Sequence, residues 1–406
     1  MQPLASKRGV PALGAALARL EAAHLRRERL TVEGFAADAR RVLRLAGGRE
    51  LVDFSSNDYL GLARHPALAA AMGACAARAG AGSGASHLIT GHGTEHARLE
   101  EELAAFTQRG RALLFSTGYM ANLAVMTALA GRGQQVLLDR LSHASLLDGA
   151  RLCGAQLRRY PHADAAAAER LAAAAPARTA LIGSDGVFSM DGDLAPLPQL
   201  ARVATAHGSW LVVDDAHGLG VIGASGRGTL EHFGLDEAQV PVLIGTLGKA
   251  FGSFGAFVAG PAELIEFLMQ TARSYIYTTA LPQPVAAASR AALALLQQEG
   301  WRRERLHAHV RRFRELAQAA GLPLMDSATP IQPVLLGGAA EALQVQRELR
   351  AAGLCVMAIR PRPCRPAARG CGSRCPRNTP ASRSRSSWRA SPVPAHGCAV
   401  VGRECP

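Results

Sequence analysis

Lysine is almost absent from this chain. Its cations are written as arginine, 43 of them, and lysine stands only at Lys7 and Lys249. Long apolar runs are missing too: none reaches the roughly 18 residues that a helix needs to cross a bilayer. The N-terminal "MQPLASKRGVPALGAALARLEAAHLRRERL" reads as an amphipathic helix and not as a signal peptide. These absences predict a cytoplasmic protein with no membrane partner. Up to Ile359 the only cysteines are Cys75, Cys153 and Cys355, too few and too scattered for a disulfide framework. No internal repeat is visible.

The formal charge of +13 would ordinarily point to a nucleic acid or an acidic surface as partner. The charge is concentrated at one end. Residues 361–406 hold nine arginines against one acid, Glu404, and so carry +8, leaving +5 for all that precedes them. No nucleic-acid-binding fold is recognisable beneath that tail, so no nucleic-acid partner is expected. The tail also has five cysteines (Cys364, Cys371, Cys375, Cys398 and Cys405) and eight prolines but no Leu or Ile. Cys371 and Cys375 lack a second Cys or His pair at zinc-finger spacing, and no metal is expected.

Between about residues 95 and 260, short apolar runs alternate with alanine-rich amphipathic stretches: "RALLFS", "QQVLLD", "TALIGSD", "SWLVVDDA", "PVLIGTLG" and "GAFVAG". This is the pattern of an α/β protein with a mainly parallel sheet covered by helices. It predicts an N-terminal helical segment over 1–50, a large α/β domain over 51–289 and a smaller α+β domain over 290–360, followed by the tail. Ligands of such folds sit beyond the C-terminal ends of the strands. Polar residues just after each run are therefore the candidates for chemistry.

Lys249 stands at such a place, in "GTLGKAFGSFGA". A desolvated lysine can lose its proton and attack a carbonyl as a free amine, which arginine cannot do. Asp214 closes the preceding strand, "WLVVDDAH". A Schiff-base lysine beside an acid that holds a pyridine nitrogen protonated is what pyridoxal phosphate requires as an electron sink. For the phosphate, "FSTGYMANLAVMTAL" supplies Ser116, Thr117, Gly118 and Tyr119 at a strand-to-helix turn, and Thr246 adds a second hydroxyl source.

The ordered segments "SSNDYLGL", "DRLSHASLLDGA", "GVFSMDGD", "VVDDAHGLGVIG", "GTLGKAFGSFGA" and "AIRP" resemble the α-oxoamine synthases, which are fold-type I pyridoxal-phosphate enzymes. The likeness covers roughly residues 10 to 360. It implies that Lys249 carries the cofactor as a Schiff base, Asp214 pairs with the pyridinium nitrogen and His143 stacks on the ring. It further implies that His217 and Ser189 lie near the phenolic oxygen and that Gly118, Tyr119 and Thr246 contact phosphate and cofactor. Thr278 and Thr279 would reach the phosphate of the neighbouring subunit, which makes a homodimer, and Asn57 and Arg360 would hold the amino-acid carboxylate. One departure is Asp185, where relatives often carry glutamate.

The reaction implied is a decarboxylative condensation of an amino acid with an acyl thioester. The nearest motifs imply L-alanine and a pimeloyl group on coenzyme A or acyl carrier protein. Sister enzymes joining glycine or serine to other acyl groups share the same ring-facing motifs and stay open as alternatives.

Family members continue after "AIRP" with segments resembling "PTVP" and "LRVSLSAEHT". Here "RPCRPAARGCGSRCPRNTP" follows instead. One permitted choice of codons for "GCGSRCPRNTP", read one phase over, gives L-R-V-S-L-S-A-E-H-T. The tail is accordingly read as a frameshifted, disordered segment, and the small domain as incomplete.

Overall fold

The apolar runs become strands in the places their pattern predicts. The computed structural model describes residues 10–35, 41–360 and 398–402, and the chain divides into two compact units, Asn57–His307 and Met1–Ser56 together with Ala308–Pro406. In chain order the second of these units has the helix Val10–Ala22 and then β1 (Val32–Phe35), β2 (Val42–Leu45) and β3 (Glu50–Asp53), an antiparallel meander.

The Asn57–His307 unit carries β4 (Arg111–Phe115), β5 (Gln135–Asp139), β6 (Gln156–Tyr160), β7 (Thr179–Asp185), β8 (Trp210–Asp214), β9 (Val242–Thr246) and β10 (Ala256–Gly260). They form one sheet in the order β4-β10-β9-β8-β7-β5-β6. Only β10 runs against its neighbours. Successive side chains of a strand point to opposite faces, and the core divides accordingly. Val136, Leu138, Val212, Val242 and Ile244 pack with helix residues Ala121, Val125, Leu146, Ile265 and Leu268. Leu137, Leu211, Val213 and Leu243 pack on the other face with Ala168, Leu197, Leu200 and Ala204. Burial on both faces explains why these strands read as continuous apolar runs.

The register brings the polar strand ends together. Asp185 lies opposite Asp214 across β7 and β8, and Asp214 opposite Ile244 across β8 and β9. Asp139, Asp185, Asp214 and Thr246 thus end four strands that are neighbours in the sheet, all at its C-terminal edge.

The other unit continues with β11 (Gln332–Leu336), the helix Ala339–Ala351, β12 (Leu354–Cys355), β13 (Ala358–Ile359) and β14 (Cys398–Gly402). β12 pairs with β3 and so extends the N-terminal meander to four strands. β14 runs parallel between β11 and β13. A small core of Ala342, Val356 and Ala358 is covered by Phe54, Leu336, Leu349 and Leu354.

Three expectations change here. Residues 1–50 are not a separate helical segment, because after the helix Val10–Ala22 they supply the strands that β12 joins. The expected boundary near residue 290 lies instead between His307 and Ala308, since the helix Gln283–Gln298 packs on the helix Pro66–Ala79 of the large unit. The expectation of a wholly disordered tail fails for Cys398–Gly402: "CAVVG" has β-branched residues enough to pair on both sides. The rest of the tail, with Cys371, Cys375 and the proposed change of frame, lies outside the described residues.

Candidate active site

The loop that carries Lys249 is pinned at both ends. Leu247 N–H donates to Gly255 O (2.9 Å), Ser253 N–H to Leu247 O (2.9 Å) and Gly252 N–H to Lys249 O (2.8 Å). Gly252 has φ of +64°, and a Cβ there would stand 2.2 Å from Ala63 N, so only glycine fits. Burial draws the Lys249 ammonium below its ordinary pKa, while the charges of Asp214, Asp185 and Asp215 oppose the shift. A lysine held this way is closer to the free amine than any surface lysine.

Asp214 is buried at the end of β8. Its Oδ2 accepts a hydrogen bond from Asn122 Nδ2 (2.7 Å) and its Oδ1 one from Ala216 N–H (3.1 Å). The second Asn122 Nδ2 hydrogen goes to Ser145 Oγ (2.7 Å), and Ser145 Oγ lies 2.7 Å from His143 Nδ1. Because His143 Nδ1 also faces the Ser145 N–H, the ring nitrogen is the acceptor and the Ser145 hydroxyl donates to it. A continuous chain therefore joins Asp214 to His143. The His143 ring is otherwise exposed, and its backbone N–H donates to Asp185 Oδ2 (2.9 Å). Burial first, then the charge of Asp214, pushes the Asp185 carboxyl well above the usual range.

His217 is buried, with Nδ1 2.8 Å from the hydroxyl of buried Tyr59. Burial, then the charges of Lys249 and His143, hold it well below the ordinary histidine range, so it is neutral at physiological pH. Burial likewise raises the Tyr59 phenol and keeps its proton on. Tyr59 Oη is also 3.3 Å from Oδ1 of the exposed Asn57.

Gly118 and Tyr119 open the helix Gly118–Leu129, where Thr117 caps by accepting Met120 N–H (3.2 Å). Helical geometry leaves the N–H groups of Gly118 and Tyr119 without intrahelical acceptors, a ready anion site. The Tyr119 hydroxyl donates to Asp148 Oδ2 (2.6 Å). Thr246 Oγ1 donates to Gly255 O (3.1 Å) and accepts Gly248 N–H (3.3 Å). Ser189 is half-buried in the loop after β7, Thr278 is half-buried and Thr279 exposed after the short helix Arg273–Ile276. Arg360 directs Nη1 at the carbonyls of His24 (2.6 Å) and Arg26 (3.0 Å).

Asn122, Ser145 and Tyr59 were not legible as site residues. Asn122 is a lone polar residue in the apolar "ANLAVM", which is a signal of sorts, whereas Tyr59 reads as core. A separate histidine cluster, His87, His92 and His96, has the spacing of metal ligands. His96, however, uses Nδ1 to accept Gly93 N–H (2.9 Å) and Nε2 on the Leu281 carbonyl, while His87 stacks on Tyr275. Both ring nitrogens of His96 are thereby engaged, which leaves it none for a metal.

The profile of the aminotransferase class I and II family matches residues 49–384. A relative from Methylococcus capsulatus, an 8-amino-7-oxononanoate synthase, is 59% identical over 85% of this chain and 88% of its own. This chain belongs to the 8-amino-7-oxononanoate synthase family. Among solved structures, the 8-amino-7-oxononanoate synthase of Francisella tularensis superposes with a TM-score of 0.68 at 33% identity, covering 76% of this chain and 88% of that one. A serine palmitoyltransferase of S. paucimobilis with bound pyridoxal phosphate and myriocin superposes at 0.79 with 31% identity, over 85% and 89% of the two chains. The fold is that of the fold-type I pyridoxal-phosphate transferases, to which this family belongs.

Proposed function

We propose that this chain condenses L-alanine with a pimeloyl thioester, carried by coenzyme A or acyl carrier protein, to give 8-amino-7-oxononanoate and carbon dioxide in biotin synthesis. The observation that supports this most is the pairing of a lysine of lowered pKa with buried Asp214 on neighbouring strand ends, in a chain 59% identical to such a synthase.

The donor set fits pyridoxal phosphate. Lys249 would hold it covalently and Asp214 would keep its pyridine nitrogen protonated. The free N–H groups at Gly118 and Tyr119, with Thr246, would take the phosphate. His143 would lie against the ring, its orientation set by Ser145, and His217 and Ser189 would serve the phenolic oxygen. When bound, the cofactor supplies an electron sink for the pair left by a departing α-proton or carboxylate.

The protein's own part follows from its geometry. Lys249, once its amine is free, stands within a low-dielectric site as the base for the alanine α-proton and later as the acid that returns one. The Asn122 and Ala216 donors hold the Asp214 carboxyl group in a fixed orientation at the end of β8, where it would face the pyridine nitrogen. For Asn57 and Arg360 at the alanine carboxylate, and for Thr278 and Thr279 at a partner's phosphate in a homodimer, the support is the motif resemblance. The cytoplasm fits the sequence reading, and among the described residues no helix is long and apolar enough to cross a membrane.

The test is product identification. Alanine and pimeloyl-CoA or pimeloyl-acyl carrier protein should give 8-amino-7-oxononanoate by mass spectrometry. Greater turnover with glycine and acetyl-CoA, or with serine and a long acyl-CoA, would replace this reading with a sister activity.

A further inference from the structure

His162 lies in the turn after β6 and is none of the residues assigned above. Its Nδ1 is 3.1 Å from Asp139 Oδ1 and its Nε2 is 2.8 Å from Asp193 Oδ2. An imidazole with a carboxylate at each nitrogen carries a proton on both. The two acids accordingly raise its pKa to about 10, against the opposing effect of burial.

The carboxylates sit at the roots of two loops. Asp139 ends β5 and is 1% exposed. Its Oδ1 accepts Leu141 N–H (2.7 Å), which starts the loop to His143, and its Oδ2 accepts Ala163 N–H (2.8 Å), which fixes the turn that carries His162. Asp193 closes the loop that contains Ser189: Phe188 N–H donates to Asp193 O (3.0 Å) and Gly192 N–H to Phe188 O (2.8 Å). The His162 ring stands edge-on to Phe188 at 4.4 Å between centroids.

We infer that His162 is a positioning residue: as an imidazolium bound to both carboxylates, it ties the loop bearing His143 to the loop bearing Ser189 and so sets where those two side chains stand. The inference rests on the cofactor-facing roles proposed above for His143 and Ser189. Removing His162 would leave Asp139 as a buried carboxylate without its counter-charge, and Asp139 already acts electrostatically on Asp185, which holds the His143 N–H. A cation at His162, Asp191 and Asp193, which are spaced closely enough for one, would have to displace the proton now shared with Asp193.

The test uses the full chain loaded with pyridoxal phosphate, with His162→Gln and, should that variant fail to fold, Asp193→Asn, which leaves the Asp139 pair in place. Loop displacement near 1 Å costs on the order of 100-fold in rate, so kcat should fall about tenfold or more. The KM for the pimeloyl thioester should stay within about twofold. The absorption maximum of bound cofactor should shift, and nitrogen NMR should show both His162 ring nitrogens protonated at about pH 8. Unchanged kcat and spectrum in both variants would overturn the inference. So would a singly protonated His162, or wild-type activity lost on dialysis against a chelator. If wild-type protein took up no cofactor, the proposed function would fail first, and the NMR result would still decide whether the bridge is charged.

Discussion

Asn122 gives one Nδ2 hydrogen to Asp214 and the other to Ser145, each at 2.7 Å, and thereby connects the acid at the end of β8 to the histidine that precedes the helix Ala144–Leu152. Among the described residues the buried Asn122 Oδ1 atom has no hydrogen-bond partner, so they orient the amide through its donors alone.

Asn122→Ala should leave a buried carboxylate short of one donor, at a cost of about 1–3 kcal/mol. Turnover is expected to fall more than stability, because Asp214 and His143 lose their common anchor. Circular dichroism melting beside steady-state kinetics checks this. A variant with lowered melting temperature but wild-type kcat would reduce Asn122 to a core residue.

Lys249→Ala should bind pyridoxal phosphate without a covalent bond and have no measurable turnover. Lys249→Arg should fail equally, since guanidinium does not give up its proton. Borohydride reduction followed by peptide mapping should find the cofactor on Lys249 in the wild type. Label at another residue would refute the central assignment.

Asp214→Asn keeps the shape of the site and removes the charge. A loss in kcat on the order of 100-fold or more is expected, as for removal of a preorganised electrostatic group. Binding of cofactor should persist. Equal kcat in the two proteins would mean that another group holds the pyridine nitrogen.

Asp215 offers a pH test. Its Oδ2 accepts Thr229 N–H (2.7 Å), but burial raises its pKa to about 7. The folded state then holds a proton that the unfolded state releases near pH 3.9. The stabilising effect of that proton is whole below the unfolded pKa and is lost as pH rises through about 7. Relative to Asp215→Asn, the wild type should therefore lose melting temperature between about pH 4 and 8. Parallel melting curves across that range would show that the carboxyl is ionised in the folded protein.

Deletion of residues 361–406 would remove β14 and leave β11 and β13 without the strand between them. Unpaired strand edges promote association, and the truncated protein should elute as aggregate in size-exclusion chromatography. For the tail itself the expectation is a displaced reading frame beginning near Ile359. Nucleotide sequencing across that codon decides it, and an uninterrupted frame would remove the proposal.

Within Asn57–His307 the sequence was nearly sufficient, because a doubly buried parallel strand must be a short apolar run, and the residue after it must face the ligand edge. Lys249 and Asp214 were legible for that reason: each is a chemically distinctive residue at a strand end. The sequence also shows that Lys249 is the only lysine besides Lys7, which is what singled it out. Tertiary structure alone decided how the strand ends are ordered side by side, since adjacency in a sheet is not adjacency in the chain. It also decided which groups Asn122, Tyr59 and His162 bond to. Their partners are 92, 158 and, for His162, 23 and 31 residues away in sequence, and no local pattern encodes a hydrogen bond across such distances. The same holds for the N-terminal strands and for Cys398–Gly402: whether a β-branched stretch is a strand depends on finding edges to pair with, and only the folded chain supplies them.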